Sequence, residues 1–227
     1  MLSRQRIVVI GAGGHARVVI DAARAAGHQV VGIFARDAQP GAEVLGCPVL
    51  GRDDDAEQIL GRMTGQVDSA VVAIGDNHIR ATVVSRLCEA MPQLAFATVV
   101  HPSAIISPTA RIGDGAVVLA GAVVGVDASV GRHCIVNTMA SADHDDQIED
   151  FASLAPGAVL GGTVRVGTRT AVCLGARVIQ GISIGSDAVI GAGATVVRDI
   201  ADRVVVMGTP ARVVRAFVPP IVPHLPS

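Results

Sequence analysis

The sequence predicts an α/β domain built on a parallel sheet, followed by a parallel β-helix, and three observations carry that reading. Strand and helix signals alternate over residues 1–98, which implies a parallel sheet with helices on its faces. From Ile112 to Val196 every sixth residue is Val, Ile or Leu, with Ala142 the exception. The core material is aliphatic: 50% of the 227 residues are hydrophobic but only 2% are aromatic, with no Trp and no Tyr.

In the first part, Arg6–Ile10 reads as a short buried strand and Gly11-Ala12-Gly13-Gly14 as a turn. His15–Ala26 is a helix ended by Gly27, and Gln29–Phe34 is a second strand. Asp53–Arg62 is a short helix, Ser69–Ile74 a third strand, and Asn77–Ala90 a helix stopped near Pro92. Leu94–Val99 is read as a fourth strand.

A period of six is neither helical nor that of an alternating strand. It is the repeat of a parallel β-helix, in which short strands stack and glycines permit the corners. Four residues after each aliphatic lies a small or aliphatic residue, as at Ala116, Ala122, Ala128, Cys134, Ala140, Ala152 and Ala158. Three hexads make a turn, and turns stack at about 4.8 Å. Beyond Ala201 the pattern stops, and Met207–Arg215 reads as a closing segment that caps the open end. The expected division is 1–98, 99–210 and a tail over 211–227, whose Pro219-Pro220-Ile221-Val222-Pro223 reads as extended.

Composition removes several chemistries. All 18 basic residues are Arg, so a Schiff-base lysine, a Walker A loop and a Tyr/Lys dehydrogenase couple are excluded. A formal net charge of −2 gives no electrostatic reason to expect nucleic acid. Cys47, Cys88, Cys134 and Cys173 show no metal-binding spacing. No signal peptide and no apolar run of membrane-spanning length is visible, so a soluble, cytoplasmic protein is expected.

One turn of the repeat breaks its own pattern. Asn137, Asp143 and Glu149 occupy the usual Gly position, Ala142 is the weakest aliphatic, and Asp146 replaces the small inward residue. Local disagreement inside a consistent pattern is where function is expected. That turn contains Asp143-His144-Asp145-Asp146, and a carboxylate beside an imidazole orients it and raises its basicity, which suits a general base. His101, His133 and His144 occupy different places in the hexad, so a zinc site is not expected.

Gly11-Ala12-Gly13-Gly14-His15-Ala16 follows a strand and opens a helix, whose free N–H groups suit phosphate. The second strand ends in Phe34-Ala35 without the acidic residue that holds an NAD ribose. A mononucleotide or nucleotide-sugar site fits better than a redox site.

Together these parts resemble the bacterial hexapeptide acyltransferases that acetylate amino sugars or sialic acids, above all the nucleotide-linked 4-amino-sugar N-acetyltransferases of bacillosamine and perosamine type. The resemblance covers nearly the whole chain and implies that the β-helix is left-handed. It implies nucleotide-sugar contacts at Gly13, Gly14, His15 and Asp37, and at Gly75 and Asp76, where the family has Gly-Asn-Asn. The family usually has an Asp pair after the second strand, whereas this chain has Arg36-Asp37. It implies catalytic roles for His144, Asp145 and Asn137, and acetyl-CoA as co-substrate along Ser153, Gly162, Leu174 and Ala192, between neighbours of a homotrimer. The expected reaction is N-acetylation of a nucleotide-linked 4-amino sugar by direct attack, without a metal. A sugar O-acetyltransferase would use the same residues, whereas a non-catalytic nucleotide-sugar-binding protein would bind the nucleotide without releasing CoA.

Overall fold

A computed structural model describes residues 4–37, 39 and 41–218; the proline-rich stretch from Pro219 lies outside them. In the first domain, β1 (Arg6–Ile10), β2 (Gln29–Phe34), β3 (Glu43–Val44), β4 (Cys47–Gly51) and β5 (Ser69–Val72) form one sheet in the order β3-β4-β2-β1-β5. All pairings are parallel except the β3–β4 hairpin. Helices α1 (Gly14–Ala25), α2 (Ala56–Arg62) and α3 (Asn77–Ala90) accompany it. β1 is buried along Ile7–Ile10 because it sits between β2 and β5, and this explains its unbroken aliphatic run. Val19, Ile20 and Ala23 of α1 pack in one cluster with Val99, Val117 and Leu119, so this helix joins the sheet to the first turns of the β-helix.

Two elements differ from expectation. The β3–β4 hairpin was not legible as strands, since Leu45-Gly46 separates only two residues on one side. Leu94–Val99 is not a strand: Phe96 makes one bridge to Ala70, and Val99–Val100 already pairs with Val117–Val118. The segment's backbone meets the β5 edge only through Ala95 and Ala97, which bond to Ala70, while Ala97 and Val99 pack with Val117 and Leu119 of the second domain.

The second domain is a left-handed parallel β-helix of two-residue strands on three faces. One face carries Arg111–Ile112, Ser129–Val130, Gln147–Ile148, Arg165–Val166 and Ser183–Ile184. The next runs from Val99–Val100 through Ile135–Val136 and Ser153–Leu154 to Val189–Ile190, and the third from Ile105–Ile106 through Ser141–Ala142 to Thr195–Val196. Register is constant, as Val117↔Ile135, Ile135↔Ser153 and Ser153↔Ala171 show. The stepped aliphatics, together with Ala116, Ala122, Ala128, Cys134 and their successors, form one buried cluster. At the far end Val189 pairs with Val205, two residues short of that register, and an antiparallel hairpin of Val204–Met207 with Arg212–Ala216 closes the coil.

The glycines serve two purposes, of which the corner expected from the sequence is one. From Ile112 to Ile190, left-handed backbone occurs at the third residue after each position of the ladder, whether it is Gly115 (φ 71°) or a side-chain-bearing residue such as His133 (φ 54°) or Asp145 (φ 61°). The glycine directly after the aliphatic is needed for stacking: a Cβ at Gly125 would lie 2.7 Å from the Asp143 carbonyl carbon on the next turn. Corners are bent by one residue and packed by another.

Candidate active site

Each corner of the prism repeats once per turn, so side chains stack in columns. The column Val126, His144, Gly162, Gln180 edges the third face and carries the imidazole. His144 Nδ1 lies 2.8 Å from Asp145 Oδ2, and both side chains are more than half exposed. The hydrogen bond that Asp145 accepts from the ring is the main cause that raises the His144 pKa, with Asp143, Asp145 and Asp146 adding negative charge nearby. An imidazole held through Nδ1 leaves Nε2 free to take a proton, and a raised pKa makes it a stronger base. A Cβ at Gly162 would overlap His144 Nε2, so the missing side chain is what makes room for the ring. The backbone N–H of His144 donates to Asp143 Oδ1 at 2.7 Å, and that of Asp145 to the Val126 carbonyl at 2.9 Å.

The other expected site residues separate by column. Leu174 and Ala192 stack on the corner between the second and third faces and are exposed. Asn137 lies on that same corner, where Oδ1 accepts the Thr138 N–H at 2.8 Å, and it does not bond to His144 within the chain. Ser153 is half-buried on the second face. One chain therefore brings Asp145 and Gly162 to His144 and leaves Asn137, Leu174 and Ala192 on another edge of the prism.

In the first domain, Gly13 and Gly14 at the start of α1 are exposed, and a Cβ at either would meet no atom within 4 Å. Gly13 caps the helix without a side-chain bond, so the first N–H groups are open to an anion. His15 packs against Gly75, and its pKa is pushed down to about 4 by burial and by Arg80. It is therefore a neutral ring beside that loop. Asp37 is exposed in the turn after β2. Asp76 serves as the N-cap of α3, accepting the N–H groups of His78 and Ile79 at 2.9 Å, while Gly75 is exposed.

The sequence reading missed the joint between the domains. Arg80, 1% exposed, donates from Nε to the His133 carbonyl at 2.8 Å and from Nη2 to the Phe151 carbonyl at 2.7 Å. Its Nη1 reaches the Ile74 carbonyl at 2.8 Å, and Asn77 Oδ1 accepts from Nη2 at 2.7 Å. Asn77 in turn donates to the carbonyls of Arg169 and Thr170. His133 and Phe151 stack at 5.1 Å, and Phe96 meets His133 edge-on. Nothing in the sequence marks Arg80 out, since α3 also carries His78, Arg86 and Glu89 and backbone acceptors leave no mark in side-chain identity.

No metal cluster emerges. Among the described residues no three His, Cys, Asp or Glu side chains are arranged to hold a metal ion, and His133 lies buried in the joint while His144 is exposed on another corner. Nor is there a poised nucleophilic thiol on this turn: burial pushes Cys134 up to about 12, and its Sγ donates to the Glu149 carbonyl.

Comparison with known proteins decides the family. Residues 6–87 match the PglD N-terminal domain. The chain is 39% identical to the GDP-perosamine N-acetyltransferase of Caulobacter crescentus, solved as a variant with CoA and GDP-perosamine, over 94% of this chain and 98% of that one, with a TM-score of 0.86. The chain belongs to the nucleotide-linked amino-sugar N-acetyltransferase family. It is 35% identical to the acetyltransferase domain of PglB from Neisseria gonorrhoeae, solved with acetyl coenzyme A, over 93% of this chain and 100% of that one, at a TM-score of 0.84. WeeI from Acinetobacter baumannii, at 23% identity over 92% of this chain and 99% of that one and a TM-score of 0.71, shares the fold. As a member of this family the chain is an acyltransferase. Among the described residues no helix is long and apolar enough to cross a membrane.

Proposed function

We propose that this chain transfers the acetyl group of acetyl-CoA to the 4-amino group of a nucleotide-diphospho-sugar, with GDP-perosamine the favoured acceptor. The observation that carries the reading is the exposed His144–Asp145 pair standing over Gly162, in a chain 39% identical to an enzyme solved with CoA and GDP-perosamine. His144 Nε2 takes the proton as the amine attacks the thioester carbonyl, while Asp145 holds the ring tautomer and steadies the imidazolium. Backbone N–H groups of the coil receive the oxyanion. Attack is direct, and the acyl group passes from sulfur to nitrogen without resting on the protein.

In this reading residues 1–98 hold the nucleotide sugar on Gly13, Gly14, His15, Asp37, Gly75 and Asp76. Residues 99–210 carry the transfer, with acetyl-CoA along Ser153, Gly162, Leu174 and Ala192; the tail expected over 211–227 begins inside the closing hairpin, whose second strand is Arg212–Ala216. The separation of Asn137, Leu174 and Ala192 from His144 supports a homotrimer in which a neighbour completes each site. So does the exposure of Ile105 and Val159 on the third face, flanked by Val126, Met139 and Leu174. The free thiols among the described cysteines suit the cytoplasm. A panel of GDP-, UDP- and dTDP-linked 4-amino sugars with acetyl-CoA, reading released thiol and mass by light scattering, tests all of this. Thiol release with the GDP sugar by a trimer is expected; release only with a free sugar hydroxyl, or from a monomer, overturns it.

A further inference from the structure

The inward position four residues beyond each aliphatic is Ala, Cys, Val, Thr or Ile through the rest of the repeat. At Asp146 it is a carboxylate, fully buried, in the turn that carries His144. A buried carboxylate in an aliphatic tube is costly unless its oxygens are satisfied, and here both are. Oδ2 accepts the Asp143 N–H at 2.8 Å, and Oδ1 accepts the Val164 N–H at 2.8 Å.

The first of those bonds stands where the coil's own main-chain bond would be. At equivalent positions the N–H of Gly125 donates to the Ala142 carbonyl, Asn137 to Leu154 and Gly161 to Val178. Asp143 has no such bond to Leu160; its N–H goes to Asp146 instead, and the strand pairing there is reduced to Ser141↔Val159. The turn-closing bonds seen from Ala128 to Gly125, Ala140 to Asn137 and Ala152 to Glu149 are missing from Asp146 to Asp143 and from Val164 to Gly161, as they are at Cys134, Ile182 and Ala188; the Val164 N–H goes to Asp146 much as that of Ala188 goes to Thr170 Oγ1, but here the acceptor is a carboxylate. One side chain has taken over the shaping of two stacked corners: the one bearing His144 and the one bearing Gly162, over which its ring lies.

We propose that Asp146 is a positioning residue for acyl transfer, its carboxylate replacing the main-chain bond of the His144 corner so that the imidazole stands at a fixed height above Gly162. The inference rests on His144 being the base. Asp146 touches neither substrate in this account; it acts through the backbone on either side of His144. The charged groups bearing on it are Asp143, which disfavours its ionised form, and His144, which favours it. Burial is the larger influence, and the Asp146 pKa is pushed up to about 6. Protonation would turn one acceptor oxygen into a donor facing an N–H, so the corner loosens on acidification.

The experiment compares Asp146→Asn and Asp146→Ala with His144→Ala and the unaltered protein. Three quantities are read: steady-state constants with the nucleotide amino sugar and acetyl-CoA, the melting temperature, and titration of the His144 ring by NMR. Asparagine keeps the shape but sets an NH2 against one backbone N–H. A 1 Å misplacement of a catalytic group costs about 10²-fold, so kcat falls by about that factor in both Asp146 variants, with KM for acetyl-CoA unchanged. The His144 titration, which needs no substrate, moves down toward the ordinary value as the Asp145 contact slackens. If Asp146→Asn melts lower but turns over and titrates as the parent does, the carboxylate is only structural and the proposal is wrong. If His144→Ala keeps full turnover, the base assignment falls, while the NMR titration still decides whether Asp146 holds the ring. Should the alanine variant not fold, the asparagine variant alone decides.

Discussion

His133 and His144 ride on the same turn of the β-helix, and the two corners that hold them have opposite characters. His133 is buried between Phe96 and Phe151 under an arginine that never reaches water. Its pKa is pushed down to about 4, first by burial and then by Arg132 and Arg80. His144 projects from the next corner but one beside three carboxylates, and its pKa is raised. The same side chain is a buried ring with a lowered pKa in one place and an exposed ring with a raised one in the other, because desolvation disfavours the imidazolium and a hydrogen-bonded carboxylate favours it. Residue type alone would not have separated them; their columns do.

The sharpest way to break this comparison is a reciprocal pair. His144→Ala is expected to lower kcat by about 10²–10⁴ while leaving the denaturation midpoint in place, since the side chain is exposed. Arg80→Met is expected to do the reverse in stability: it strips partners from the carbonyls of Ile74, His133 and Phe151, each worth about 1–3 kcal/mol when buried and unsatisfied. A total loss of about 3 kcal/mol or more, read by urea denaturation, follows. An Arg80→Met protein as stable as its parent would show that the joint does not depend on that clamp.

A matched glycine pair sharpens the contrast further. A Cβ at Gly115 would overlap the His133 ring, and a Cβ at Gly162 would overlap the His144 ring. Gly115 also sits at φ 71°, so Gly115→Ala adds left-handed backbone strain of about 1–2 kcal/mol and should lower the melting temperature. Gly162→Ala carries no such strain and moves an exposed ring, so its loss of about ten- to a hundredfold should appear in kcat. Equal melting shifts in the two variants would contradict the assignment.

The smallest effects are in pH. His133 keeps a folded pKa of about 4 against an unperturbed 6.5, so below pH 6.5 the unfolded chain takes up a proton that the folded one refuses. Stability from this residue is whole above 6.5 and lost as pH falls toward 4, and His15 acts in the same sense. Asp146, raised from 3.8 to about 6, opposes them over that interval. His144 is raised, so the neutral base is depleted as pH falls through a value above 6.5. Turnover should therefore decline on acidification before the fold does, and His133→Phe should flatten the acid limb of melting temperature without moving the acid limb of kcat/KM.

What was legible in the sequence follows from what repeats. Stacking forces every coil to put the same kind of residue in the same place, so the ladder from Ile112 to Val196 announced itself, and its breach at Asp143–Asp146 stood out against that regularity. The structure adds Val100 and Ile106 to the same series, since Val99–Val100 and Ile105–Ile106 already pair with the coil above. The false strand at Leu94–Val99 was misread because a short apolar segment near a domain junction looks the same whichever partner it finds, and the β3–β4 hairpin at the sheet's outer edge was too short to show a pattern. Arg80 and Asn77 were invisible for a different reason: their partners are main-chain carbonyls, available in any sequence. Asp146 was noticed as an anomaly, but only the coordinates show which bond it replaces.

The unbroken register carries a rule about how such a chain can change length. Insertion or removal of a single hexad anywhere before Asp143 would rotate everything downstream by a third of a revolution and deliver the imidazole to a different edge of the prism. Only whole coils can be added or lost in that stretch without moving it. Duplications of eighteen residues should therefore be tolerated here where duplications of six or twelve are not.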